Sequence, residues 1–148
     1  MAMYELKPDS IEQIEKTNFI DEQIQERGDL QRLLRDNIKV ISSDIMVISD
    51  EFGSWEGSLR RIDLLALDRD ANLVVIELKR TDDGGHMELQ AIRYASMVST
   101  MTFEQVVAAH ADYLENRNIE QDAEQTILNF LDWPEPKEED FAQDVRIL

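Results

Sequence analysis

The chain contains no cysteine. Disulfides, thiolate zinc sites and cysteine nucleophiles are therefore excluded. Proline is nearly absent too, with 3 residues, and glycine stands at 5, so neither a proline-rich linker nor a flexible glycine tract is present. No apolar run approaches the roughly 20 residues a membrane helix needs, and the chain is expected to be soluble. Residues 1–16 carry Glu5, Lys7, Asp9 and Glu12 and lack the apolar stretch of a signal peptide. A reducing cytoplasm suits a chain of this kind, and a cytoplasmic location is the expectation. Basic charge is also scarce: the lysines are only Lys7, Lys16, Lys39, Lys79 and Lys137, and the net charge is −17. A protein that grips DNA tightly usually carries a basic stripe. None is visible, so any binding to DNA by this chain alone is expected to be weak.

What remains is 148 residues with 43% apolar content, enough for one compact domain over 1–148 with its core from about 18 onward. The charge is unevenly spread: Leu59 to Arg93 holds Arg60, Arg61, Arg69, Lys79, Arg80 and Arg93, while acid dominates from Asn118 to Asp144. The pattern predicts a short helix over 10–17 with Ser10 as N-cap. A longer helix is expected over about 18–37, with Gly28 weakening its middle. Ile45 to Ser49 reads as a strand, and 53–58 as a turn. Leu59–Asp68 (LRRIDLLALD) and Leu73–Arg80 (LVVIELKR) read as the two arms of a hairpin across 69–72. Both are apolar at nearly every position, the mark of strands covered on both faces. Helices are expected over about 86–100, 103–116 and 121–131. Thr102 is the predicted N-cap of the second, with Gln105 completing a capping box. Asp144–Leu148 looks like the start of another strand. The pattern stops there, as expected of a piece of a longer protein or of an unusually short terminal strand. The order is helix, three strands, helices, strand: an α/β or α+β domain with a mixed central sheet flanked by helices.

Two residues break the apolar pattern of the hairpin. Glu77 lies in VVIELK and Asp63 in RIDLL, and each would lose several kcal/mol of solvation if buried without compensation. Centring the turn on 70–71 pairs Asp63 with about residue 78, within one position of Glu77, so a bulge or a one-residue slip brings the two carboxylates together. Two anions at that distance repel each other, and a divalent cation removes the conflict. Hard oxygen ligands suit magnesium (Mg2+) or manganese. Lys79 follows Glu77 by two residues and so emerges on the same strand face, where an ammonium would orient the attacking water and steady a phosphate. The competing structural interpretation is an ion pair of Glu77 or Asp63 with Lys79, Arg61 or Arg80.

Asp63, a hairpin and then Glu77-Leu78-Lys79 resembles the PD-(D/E)xK nuclease superfamily, and RRIDLLALDRDANLVVIELKR is similar to the catalytic domain of NucS-type endonucleases and their RecB-like relatives. The likeness covers about Gln25 to Met101. The prolyl of the family's first motif is absent, since Ile62 precedes Asp63. The resemblance implies a restriction-endonuclease-like core and magnesium-dependent cleavage of DNA. It implies Asp63, Glu77 and the Leu78 carbonyl as metal ligands, and Lys79 as the group that assists the water. It also implies a Gln and a Tyr four residues apart on the following helix. Gln90 and Tyr94 fit, and share a predicted face with Arg93 and Met97. A glutamate on the first core helix would join the metal through water, for which Glu26 is the candidate and Glu22 and Asp29 are its rivals. Arg61, Arg80, Arg93 and Tyr94 are the candidate substrate contacts. A homodimer is expected on the ground that many cutters of duplex DNA act as two-fold pairs. Two other functions compete with nuclease action. One is a non-catalytic module that keeps the fold to bind protein or nucleic acid, and the other an acidic mimic of DNA. No Walker loop, dinucleotide fingerprint or serine-nucleophile motif appears, so no nucleotide cofactor is expected. His86 and His110 lie too far apart in sequence, with no partner motif, to suggest zinc.

Overall fold

The structure, a computed structural model, describes residues 1–53, 61–78 and 87–148; the side chains of Glu26, Arg27, Met87 and Glu88 are outside that description. The turn expected over 53–58, Lys79, Arg80 and His86 fall wholly or largely in the remainder.

The chain opens with a two-stranded antiparallel hairpin, β1 (Met3–Lys7) and β2 (Ser10–Ile14). This replaces the helix expected over 10–17. Ile11 and Ile14 have helical spacing, but Pro8-Asp9 forms a two-residue turn that returns Ser10 opposite Lys7, and strand pairing wins. The helix expected from 18 begins only at Glu26. Asn18 Oδ1 accepts the amides of Ile20 and Asp21, both at 2.9 Å, and closes a local turn. Gln23 then takes φ 56°, which stops helical propagation. A π-helical turn over Glu26–Gln31 follows, continuing into α1 (Arg32–Asp36) and a 3-10 turn at Ile38–Val40.

The central sheet has the order β3 (Ile45–Phe52), β4 (Ile62–Asp68), β5 (Leu73–Ile76), β6 (Val145–Ile147). β3–β4 and β4–β5 are antiparallel and β5–β6 is parallel, so the sheet is mixed, as expected. Every residue of β4 and β5 is buried. The reason is the two-sided cover anticipated from their composition. On one face Leu64, Ala66, Val74 and Ile76 meet Leu34, Ile38 and Ile41 from the α1 region. On the other, Leu65, Leu67, Leu73 and Val75 meet α2 (Met87–Val98), α3 (Phe103–Asn116) and α4 (Ala123–Leu131) through Tyr94, Val98, Val106 and Ile127. The result is an α+β architecture with helices on both sides of a mixed sheet.

Three local devices fix this frame. Thr102 and Gln105 form the predicted capping box at the start of α3. Between β4 and β5 the turn has three residues, with Ala71 buried at φ 61°. Asp68 sits beneath it, its Oδ1 accepting the amides of Asp70 (3.0 Å) and Asn72 (2.8 Å) and its Oδ2 accepting Arg146 Nη1 (3.0 Å). Ile48 is an extra residue in β3, because Val47 pairs with Ala66 and Ser49 with Leu65. The carbonyl of Ile48 is 2.9 Å from His110 Nδ1 on α3. A carbonyl only accepts, so Nδ1 carries the ring proton. His110 is 3% exposed, and its Nε2 has no partner among the described residues. Burial pushes its pKa below the usual 6.5.

Candidate functional site

The three-residue turn sets the register that matters most. Asp68 pairs across the turn with Asn72, and the ladder runs Leu67↔Leu73 to Leu64↔Ile76. The same register carried one step past the end of β5 would set Asp63 opposite Glu77. The register read from sequence was off by one position; Ala71 in a left-handed conformation moves the turn centre onto Asp70, so no slip is needed. Both carboxylic residues are 7% exposed. Asp63 Oδ2 accepts the backbone amide of Leu78 at 2.8 Å, which ties the two strands together just beyond the regular ladder. The Asp63 carbonyl accepts Gln31 Nε2 at 2.8 Å, so the π-helical turn is anchored to the same residue from the α1 side.

Glu77 is met from α2. Gln90 Nε2 donates to Glu77 Oε2 at 2.9 Å and lies 3.5 Å from the Tyr94 hydroxyl. Tyr94 is 1% exposed and belongs to the main core. The spacing of Gln90 and Tyr94 thus puts both on the helix face that meets the sheet, as the sequence suggested. Arg93 does not share that face: it is exposed, as are Leu89 and Ile92, because the buried stripe of α2 runs Ala91–Tyr94–Val98. The main chain under Glu77 is clamped from the other side. Its amide donates to the Leu148 carbonyl at 3.2 Å, and the Leu148 amide donates to the Val75 carbonyl at 2.9 Å.

The other expected participants separate. The Leu78 side chain packs in the opposite layer with Leu64 and Ile76, while its backbone lies against the Asp63 carboxylate. Arg61 Nη1 donates to the Gly53 carbonyl at 2.6 Å and so is spent on the β3–β4 connection. Glu26 starts the π-helical turn that ends at Gln31, its side chain being outside the described residues. Of its rivals, Asp29 Oδ2 accepts the Gln25 amide at 3.0 Å and caps that turn, and Glu22 is exposed in the preceding arm, bonded to Thr17. Lys79 and Arg80 lie outside the described residues.

Gln31 is the participant that sequence inspection missed. It is a buried polar residue, 6% exposed, within an otherwise ordinary helical stretch. Its neighbours Leu30, Leu33 and Leu34 suggested a helix phase that leaves it outward; the π-helical geometry, with Leu30 N bonded to the Gln25 carbonyl, rotates it inward. Glu51 falls in the same cross-strand row as Asp63 by the β3–β4 register, yet it is exposed and its φ of 48° interrupts the pleat. Among the described residues no group of three or more His, Asp or Glu side chains gathers to hold a metal.

Two carboxylates that oppose each other across a pair of strands have Cβ atoms roughly 5 Å apart. At an effective dielectric of about 20 their repulsion when both are charged is about 3 kcal/mol. Gln90, the Leu78 amide and nearby cations can offset part of this, and a divalent ion would offset more. Searched against protein-family models, curated proteins and solved structures, the chain matches none of them.

Proposed function

We propose that this chain is a metal-dependent nuclease that hydrolyses DNA phosphodiester bonds, with a restriction-endonuclease-like core. What supports this reading is the burial of both Asp63, on β4, and Glu77, one residue past β5, with the Asp63 carboxylate accepting the Leu78 amide at 2.8 Å. The donor set suits magnesium or manganese, which accept one or two carboxylates, keep several waters and add substrate phosphate. Asp63 accepts the Leu78 amide and Glu77 accepts Gln90, so each carboxylate is held in place by a donor. Asp63 and Glu77 would hold the ion, with the Leu78 carbonyl as a third oxygen; the ion when bound would supply Lewis-acid activation of phosphate and water. Gln90 orients Glu77 and is itself steadied by Tyr94. Lys79 enters from the sequence alone, as the cation that orients the attacking water and balances charge on the phosphate. Glu26 would support the ion through water.

The decisive experiment is cleavage of single-stranded, duplex, flapped and mismatched DNA in magnesium or manganese, comparing the wild type with Glu77→Ala and Lys79→Ala. Metal-dependent cutting abolished in both variants is the expected result. No cutting by any version, with no metal binding by calorimetry, rejects the proposal.

A binding module that retains the fold without catalysis is the second reading, and one observation favours it. Several described arginines are spent internally: Arg35 on Asp36 and Asp50, Arg117 on Asp36, Arg146 on Asp44 and Asp68, Arg69 on the Phe130 carbonyl. With a net charge of −17, this leaves little cationic surface for a phosphate backbone. No cleavage together with no metal binding would leave this second reading; metal binding without cleavage would point instead to a truncated or partner-dependent enzyme.

A further inference from the structure

Gln31 differs in kind from its surroundings. It is buried, in a segment whose Leu34, Ile38 and Ile41 cover one face of the sheet with apolar side chains. A leucine would serve such a layer, and burying a carboxamide is unfavourable unless it is hydrogen-bonded. Its Nε2 makes that bond to the Asp63 carbonyl, at 2.8 Å. The bond falls at a gap in the sheet. The β4–β5 register ends at Leu64↔Ile76, and in the β3–β4 register the pairs Asp50↔Leu64 and Phe52↔Ile62 flank Asp63 without including it. Asp63 thus carries its carboxylate at a position that neither register holds. Its carbonyl accepts Gln31, and its Oδ2 accepts the Leu78 amide at 2.8 Å. Fixing the carbonyl of a residue fixes its peptide plane, and with it the direction in which the side chain leaves the strand. The backbone around Gln31 is shaped to reach this point. Leu30 N bonds to the Gln25 carbonyl at 2.8 Å, the wide turn that rotates Gln31 inward, and such turns are frequent at functional sites. The two carboxylates are therefore each met by a glutamine: Gln90 on α2 donates to the Glu77 side chain, and Gln31, from the α1 side, to the Asp63 main chain.

We propose that Gln31 is a positioning residue: through the Asp63 carbonyl it sets the direction of the Asp63 carboxylate, and so the strength with which Asp63 and Glu77 hold a divalent cation. The inference rests on the metal-binding reading of that pair and adds to it a support from the helical layer. The competing role is a tie that only fastens the α1 region to the sheet. Arg35 supplies the control for that role, since it joins α1 to β3 by donating to Asp50 at 2.6 Å and does not touch Asp63.

The test is calorimetric titration of the full chain with Mn2+, for the wild type, Gln31→Met and Arg35→Met. A second readout, in chelator, is the amide proton resonance of Leu78, which reports the bond to Asp63 Oδ2. Gln31→Met keeps the volume and removes the donor. Losing a group that orients a metal ligand weakens binding by roughly tenfold or more, so that loss is expected for Gln31→Met, with the Leu78 resonance moving upfield. Arg35→Met should leave both readouts unchanged while lowering thermal stability. Gln31→Asn, whose amide is one methylene too short, should behave as Gln31→Met does, so the outcome does not hang on one variant. Wild-type affinity in the Gln31 variants overturns the inference and leaves the metal reading standing. Equal weakening in Arg35→Met shows that any loosening of α1 suffices, and overturns it too. A Leu78 resonance that stays in place while affinity falls overturns the route through Asp63. A wild type that binds no Mn2+ rejects the metal reading itself, and the inference with it.

Discussion

Asp68 is the residue through which the turn controls the site, and its removal makes a quantitative test. Asp68→Ala deletes the acceptor for the Asp70 and Asn72 amides and one of the two partners of Arg146. Each turn amide loses a bond worth about 1 kcal/mol, taken at the lower end because Asp70 is exposed and water can replace the carboxylate there. The Arg146 contribution is kept below about 1 kcal/mol, since its side chain is 35% exposed and Asp44 remains at 2.9 Å. The expected loss is therefore about 2–3 kcal/mol, or roughly 4–12 °C in Tm for a domain of this size. Asp68→Asn keeps the Oδ1 acceptor and should cost about 1 kcal/mol. Urea unfolding followed by circular dichroism measures both. A second readout tests the register itself: the Leu78 amide is protected from hydrogen exchange by Asp63 Oδ2, and its protection should fall more than that of Val106 in α3. An Asp68→Ala protein within about 0.5 kcal/mol of wild type would refute the energetic reasoning. Lost stability with Leu78 protection falling only in step with Val106 would refute the link from turn to site.

Two other consequences are open to measurement. In the presence of chelator, Glu77→Gln should raise the unfolding free energy by about 1–3 kcal/mol, because it removes the repulsion from Asp63 while keeping an acceptor for Gln90; a loss of stability would show that Glu77 is a structural anion. His110 gives the pH dependence. Its native pKa lies below 6.5 because of burial, so the unfolded chain binds the proton more readily as pH falls under that value. Stability should then decline below about pH 6.5 by up to about 1.4 kcal/mol per pH unit, until the native form also titrates. His110→Asn, which retains a donor for the Ile48 carbonyl, should flatten that slope when midpoints at pH 5 and pH 7.5 are compared; an unchanged slope would clear His110 of the role.

The parts of the fold legible in the sequence are those governed by short-range chemistry or by uniform burial. Thr102 and Gln105 announce their capping box, and the unbroken apolar run of Leu64–Leu67 announces a strand covered on both faces. The departures come from geometry that residue types do not advertise. Alanine rarely adopts a positive φ, so nothing in Ala71 signals a three-residue turn, and the register was off by one residue. Ile11 and Ile14 are spaced for a helix, and only pairing with β1 makes them strand. The π-helical turn rotates Gln31 inward against the phase set by its leucine neighbours, and the stripe of α2 turns Arg93 to solvent although Gln90 and Tyr94 face in. At the site, the nearness of Asp63 to Glu77 could be anticipated from spacing to within one residue, and the approach of Gln90 from the family resemblance. The second support beneath Asp63, from Gln31, could not.

The clamp of Leu148 on β5 also bears on the order of assembly. Synthesis and folding proceed from the N-terminus, so β3, β4 and β5 can pair before β6 exists. Until then β5 is an edge strand, apolar at every position and with its outer amides unmatched, the sort of surface that invites pairing with other chains. The parallel β5–β6 contact joins residues some 70 positions apart, and closures of that span are among the slowest steps in forming a domain. The strand that leads into Glu77 is thus secured last. A chain interrupted after α4 would present a nearly complete core whose most hydrophobic edge is open and whose Glu77 backbone amide has lost its acceptor, making the interval before β6 docks the period of greatest exposure to aggregation.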